Sequence, residues 1–147
     1  MEARATYDDV NLLIRLYDLR REERLRAARN WFVSSCKPHS VADLEALCPP
    51  GSEQNAHFRQ VVSYWEMAAS FITAGVLNQE LFFQSGHELL MVWERLRGLV
   101  AEYREKHKNP VLLKNLETVG KAYAQWMNRQ SPEMYPAFAA RARGEQG

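Results

Sequence analysis

Residues 63–83 read SYWEMAASFITAGVLNQELFF, and the placement of Trp65 beside Glu66 decides how the chain folds. On a helix turning about 100° per residue, Trp65 sits at the centre of a stripe formed by Phe58, Val61, Val62, Ala68, Ala69 and Ile72. Glu66 lies off the edge of that stripe, near Arg59, Ser63, Ser70 and Thr73. The pattern predicts a long helix from Ser52 to about Gly75, with Trp65 in the core and Glu66 on a solvated polar face, since charged side chains are seldom buried unpaired.

The same reasoning extends outward in both directions. Asn78 is placed to cap a short turn, QELFFQS, ahead of a helix that starts at Gly86 or His87 and ends near Lys108. Its stripe is Leu89, Val92, Trp93, Leu96, Leu99, Val100 and Tyr103, and Glu94 falls almost opposite. Asn109-Pro110 signals a further start, because proline at the first helical position gives up an N–H that has no partner there anyway. Leu112, Leu116, Val119, Tyr123 and Trp126 then step by four and three to about Arg129.

Upstream, Thr6 with Asp9 resembles a capping box that opens a helix over residues 7–35, with no Gly or Pro to interrupt it. Ser40 with Asp43 repeats the signal for a short helix that Pro49-Pro50-Gly51 must end. Ser131-Pro132-Glu133 opens a short final helix, and RARGEQG (residues 141–147) is expected to fray. The expectation is an all-α single domain over residues 1–147: an irregular, largely antiparallel bundle of four main helices and two short ones. Trp31, Phe58, Trp65, Trp93, Tyr123 and Trp126 are its predicted core aromatics.

Composition agrees with a folded chain. Of 147 residues, 46% are hydrophobic and 25% charged, and 19 basic against 18 acidic residues leave a net charge of +1, too little for a global field that would draw in nucleic acid or an anionic membrane. No run approaches the roughly 18 apolar residues of a spanning helix, and two cysteines are too few for a crosslinked secreted scaffold. A cytoplasmic location with reduced thiols is expected.

The run from Tyr64 to Arg104 also carries a family resemblance. An aromatic followed by Glu, a small residue and Gly, a short turn, then Trp-Glu and a downstream Arg appear here as Trp65, Glu66, Gly75, Leu77, Glu80, Leu81, Trp93, Glu94 and Arg104. This resembles the small bacterial proteins grouped as domain of unknown function 4760. Asn78 stands where that family often has Asp, and the N-terminal membrane segment of some members is not seen. The resemblance implies an all-helical fold and supplies no chemistry.

Candidate sites are few. Val10, Leu13, Ile14, Tyr17, Leu25, Ala28, Trp31 and Phe32 share the broad face of the first helix, and Arg21 and Arg24 project from that face. They are expected to snorkel past the rim or to pair with a carboxylate of another helix; the functional alternative is an anion pocket, since guanidinium matches carboxylate and phosphate. Leu12, Leu16 and Leu19 form a second stripe, so the helix is either central or shared with a partner, and a contact with a second copy or a docking protein is the favoured expectation. Arg15, Arg20, Arg21, Arg24, Arg26 and Arg29 could serve nucleic acid, but Asp18, Glu22 and Glu23 dilute them. Cys36, His39, Cys48 and His57 are of zinc-ligand type with poor spacing, Glu-x-x-His is missing, and there is no nucleophile motif or phosphate-cradling loop. The sequence therefore favours a non-enzymatic interaction or scaffold module without a cofactor, self-associating through its first helix; binding of a small anion or nucleic acid by the arginines is the alternative.

Overall fold

A computed structural model describes residues 3–144. Among them the fold is all-α: α1 (Tyr7–Arg20), α2 (Glu23–Ser35), α3 (Val41–Leu47), α4 (Glu53–Thr73), α5 (Gln79–Phe83), α6 (His87–Leu96), α7 (Val100–Lys106), α8 (Lys114–Gln130) and α9 (Met134–Ala142). Helix α4 packs against α2, α6 and α8, while α6, α8 and α9 pack on one another. Their buried side chains form one contiguous cluster from Leu16 to Met127, with Phe32, Phe83, Leu89, Leu90, Leu116 and Tyr123 fully enclosed. Each large apolar side chain so buried contributes about 1.5–3 kcal/mol. No helix among the described residues is long and apolar enough to cross a membrane. Of the predicted fraying segment, residues 145–147 lie outside the described residues, and α9 stays helical to Ala142.

The predicted core aromatics Phe58, Trp65, Trp93 and Tyr123 are buried. Trp31 and Trp126 are only half-buried, packed on the rim of the core.

Three predicted helices differ in their bounds. The helix over residues 7–35 is two helices, because Glu22 leaves helical geometry (φ −58°, ψ 139°) and its carboxylate accepts from the Leu25 N–H at 3.0 Å, so that it starts α2 as a cap. The helix to Lys108 breaks between α6 and α7 at Arg97–Leu99. Helix α8 starts not at Pro110 but at Lys114, after Leu113 in the left-handed region (φ 58°).

The start of α8 has no cap of its own, and Glu66 supplies one from α4. Its carboxylate accepts from the N–H groups of Leu116 (2.8 Å) and Asn115 (3.3 Å) and from Asn115 Nδ2 (2.7 Å). An anion there satisfies orphan donors and complements the positive end of the helix dipole. Glu66 is thus half-buried and occupied, and not part of a solvated face as expected. Glu94, also expected outside, is 2% exposed: α6 is covered by α8 on one side and α9 on the other, so the face opposite its main stripe is buried too.

Helix α1 is held by few ties. Its buried residues are Asp9 and Leu16. Asp9 completes the predicted capping box with Thr6 and also accepts from the Asn78 N–H at 2.7 Å, tying α1 to the start of α5. Tyr64 donates its hydroxyl to the Leu16 carbonyl. The backbone N–H groups of Thr6 and Asn78 hold the Asp9 carboxyl below its ordinary value. A depressed folded-state pKa means that this stability is whole above about pH 4 and is lost as pH falls further. Acidification through that range is expected to speed amide exchange in α1 before the rest of the fold; Asp9→Asn should show fast α1 exchange already at neutral pH and a weaker acid dependence.

Candidate functional site

The break at Glu22 changes which side of α1 faces the core. Leu16 points inward at 4% exposure and Leu12 is half-buried, so the predicted Leu12, Leu16 and Leu19 stripe is not a free surface; only Leu19 stays largely exposed. Of the face expected inside, Val10 (40% exposed), Ile14 (55%) and Tyr17 (57%) face solvent, and Tyr7 beside them is 80% exposed. They recur at spacings of three, four and three, the seam of a helix pair. Beside the seam runs an apolar groove of about 250 Å³ whose walls include Leu13, Ile14, Tyr17, Trp65 and Phe82. Arg20 closes one side, its guanidinium over the rings of Trp65 (5.3 Å) and Tyr17 (5.5 Å). Its Nε is buried and has no hydrogen-bond partner.

Trp65 and Glu66 are not one working site but two cross-links pointing apart. Trp65 Nε1 donates to Glu88 at 2.9 Å, and Glu88 also receives Arg29 Nε (2.8 Å) and Nη2 (3.0 Å), joining α2, α4 and α6. The Glu88 carboxylate, by accepting these bonds, raises the Arg29 pKa above its ordinary value. Other residues of the Trp-Glu pattern act alike. Trp126 Nε1 donates to Glu80 (3.1 Å); Arg104 reaches the Leu112 carbonyl (2.7 Å) and Glu117 (3.1 Å). Glu94 accepts from the Tyr135 hydroxyl and from Arg143 Nη1 (3.0 Å). Gly75 takes φ +76° after α4, a conformation a side chain would strain.

Residues 5–126 match the family described as Domain of unknown function (DUF4760). The chain belongs to that family. The match takes in α1 to α7 and most of α8, so the seam and groove of α1 lie inside the DUF4760 region. Neither a curated protein nor a solved structure matches the chain. Trp65, Glu66, Glu80, Glu94 and Arg104 of the DUF4760 pattern join helices to one another, so these positions brace the fold.

The remaining sequence candidates do not converge. Arg21 and Arg24 are exposed, and Arg24 borders a depression shared with the carboxylates of Glu22, Glu23 and Glu53, which opposes anion binding there. Of the arginines predicted on the first helix, Arg29 is the one that pairs with a distant carboxylate among the described residues, and no local spacing pointed to Glu88. Cys36 and Cys48 are buried, free thiols, His39 is exposed, and His57 lies against the Trp31 ring at 6.0 Å. Among the described residues no group of three or more His, Cys, Asp or Glu could hold a metal. Burial pushes the Cys36 thiol and the Tyr64 phenol up to about 12, so both keep their protons at neutral pH and are poor nucleophiles or bases.

Proposed function

We propose that this chain is a non-enzymatic helical interaction module that self-associates through α1, the α1 of a second copy lying antiparallel across Tyr7, Val10, Ile14 and Tyr17. The observation that supports it is a seam with helix-pair spacing, largely exposed, on a helix that buries only Asp9 and Leu16. A second copy fits the apolar spacing. A two-fold axis near the centre of the seam sets Val10 of each copy against Ile14 of the other and Tyr7 against Tyr17. Antiparallel α1 helices also oppose their dipoles favourably.

Tyr7 of the second copy would then reach the groove beside Tyr17. Two heptads make a small interface, in the class below about 1,200 Å² that holds transient complexes. Association should therefore depend on concentration. The proposal keeps the chain in the cytoplasm, where Cys36 and Cys48 remain thiols.

Sedimentation equilibrium over a concentration series tests it. The parent is expected to shift from monomer to dimer; Ile14→Asp should stay monomeric with an unchanged helical spectrum, because Ile14 is exposed, whereas Leu16→Asp should unfold. A parent that is monomeric at every concentration, or an Ile14→Asp chain that dimerises like the parent, sinks the proposal.

A further inference from the structure

A second feature lies away from α1, in a cleft of about 420 Å³ between α6, the end of α9 and the turn joining α2 to α3. Its walls include Lys37, His39, Glu94, Arg95, Arg97 and Arg143. We propose that this cleft binds a small, multiply charged oxyanion of the pyrophosphate or polycarboxylate kind.

Arg95 carries the inference. It is only 8% exposed, and no carboxylate among the described residues forms an ion pair with it, although buried charges are ordinarily paired. Its Nε donates to the Ala142 carbonyl (2.7 Å), and Nη1 to those of Phe32 (2.6 Å) and Cys36 (3.3 Å). These are carbonyls at the ends of α9 and α2, so the guanidinium is also a clamp on two helix C-termini. The clamp accounts for Nε and Nη1 and leaves Nη2 without an acceptor among the described residues. Arg20 Nε is the sealed, unpartnered side-chain nitrogen among the described residues, so Arg95 Nη2 keeps some exposure, and Arg95 lines two cavities.

The other cations choose between those cavities. Lys37 makes no ion pair among the described residues and faces the same cleft as Arg95. Arg97 meets Glu94 at 3.5 Å and the Tyr135 hydroxyl at 2.8 Å while remaining half-exposed. Glu94, the carboxylate in the wall among the described residues, is shared by Arg97 and Arg143, so with Lys37 and Arg95 the described lining carries an excess of positive charge. A cavity of a few hundred Å³ with convergent cations holds a small molecule and excludes a folded partner. An oxyanion bearing two or more charges would accept from Lys37, Arg95 and Arg97 together, through charge-assisted bonds.

Calorimetric titration of the full chain with sodium pyrophosphate and with sodium citrate, at an ionic strength fixed with sodium chloride, tests this. Saturable binding of either anion is expected, and the tighter one tells whether the site prefers phosphoryl or carboxyl oxygens. Lys37→Gln and Arg97→Gln, both at exposed positions and so safe for folding, should each weaken binding by roughly tenfold, the worth of one charge-assisted bond. Arg24→Gln and Ile14→Asp should leave it unchanged. Absence of saturable heat with both anions, or Lys37→Gln and Arg97→Gln chains that bind as the parent does, overturns the proposal.

Discussion

Trp65→Ala is expected to lower the unfolding free energy by about 3–5 kcal/mol, the range for emptying a large aromatic site in a packed core. The indole is 2% exposed and meets Tyr64 edge-on at 4.9 Å and Phe82 at 6.4 Å. Alanine removes the ring, the seat of the Arg20 guanidinium and the donor to Glu88 together. Trp65→Phe separates these contributions. It keeps a ring and most of the buried area but loses the hydrogen bond, so a loss of about 1–2 kcal/mol is expected. Urea unfolding followed by circular dichroism gives both numbers. Because Arg20 and Tyr64 are among the ties of α1, amide exchange in α1 should accelerate in Trp65→Ala more than in α8. A Trp65→Ala chain within about 1 kcal/mol of the parent would mean that the α4 stripe is not the centre of the core.

The Trp65 result rests on what was legible from periodicity. A side chain's place on a helix follows from local spacing, so Phe58, Trp65, Trp93 and Tyr123 could be assigned to the core from sequence. Caps at Thr6, Ser40 and Asn78 were legible for the same reason, since cap and recipient are three residues apart. The break at Glu22 was not. Arg21-Glu22-Glu23 contains neither Gly nor Pro, and a carboxylate three residues before Leu25 is also an ordinary helix-surface arrangement. That one break reverses which apolar side of α1 meets the core, and with it the choice between Leu16 and Ile14 as a contact residue.

Long-range partners were hidden for another reason. Asn109-Pro110 looked like the start of α8, yet the groups that cap it come from Glu66, 49 residues before Asn115. A wheel drawn on α6 places Glu94 outside because it cannot represent α9, whose arrival buries the second face. Arg95 was overlooked altogether: its partners are backbone carbonyls, which leave no mark in side-chain spacing. The family pattern flagged Glu66, Glu80, Glu94 and Arg104 before any contact was known. Each of them turns out to bond across helices, so a polar residue fixed relative to an aromatic seam can report bracing as readily as chemistry.

Gly120→Ala should show the opposite failure from Trp65→Ala, too much atom instead of too little. Within a helix, alanine is favoured over glycine by about 1 kcal/mol, so local propensity alone makes the change stabilising. The contact with α6 reverses the sign. A Cβ on Gly120 would lie 2.4 Å from Trp93 Cδ1, 2.6 Å from Cγ and 3.0 Å from Cβ, and Trp93 is itself buried at 3% exposure. The indole cannot swing away without opening the α6–α8 interface, so a net loss of about 1–3 kcal/mol is expected. Gly98→Ala is the control: a Cβ there meets nothing within 4 Å, and the change should be neutral or gain up to about 1 kcal/mol. Trp93→Leu should be destabilising alone, through the space it leaves, yet combine with Gly120→Ala at less than the sum of the two costs, by more than about 0.5 kcal/mol. Strict additivity in urea unfolding would show that α6 and α8 do not approach at Gly120, and that this glycine serves no packing purpose.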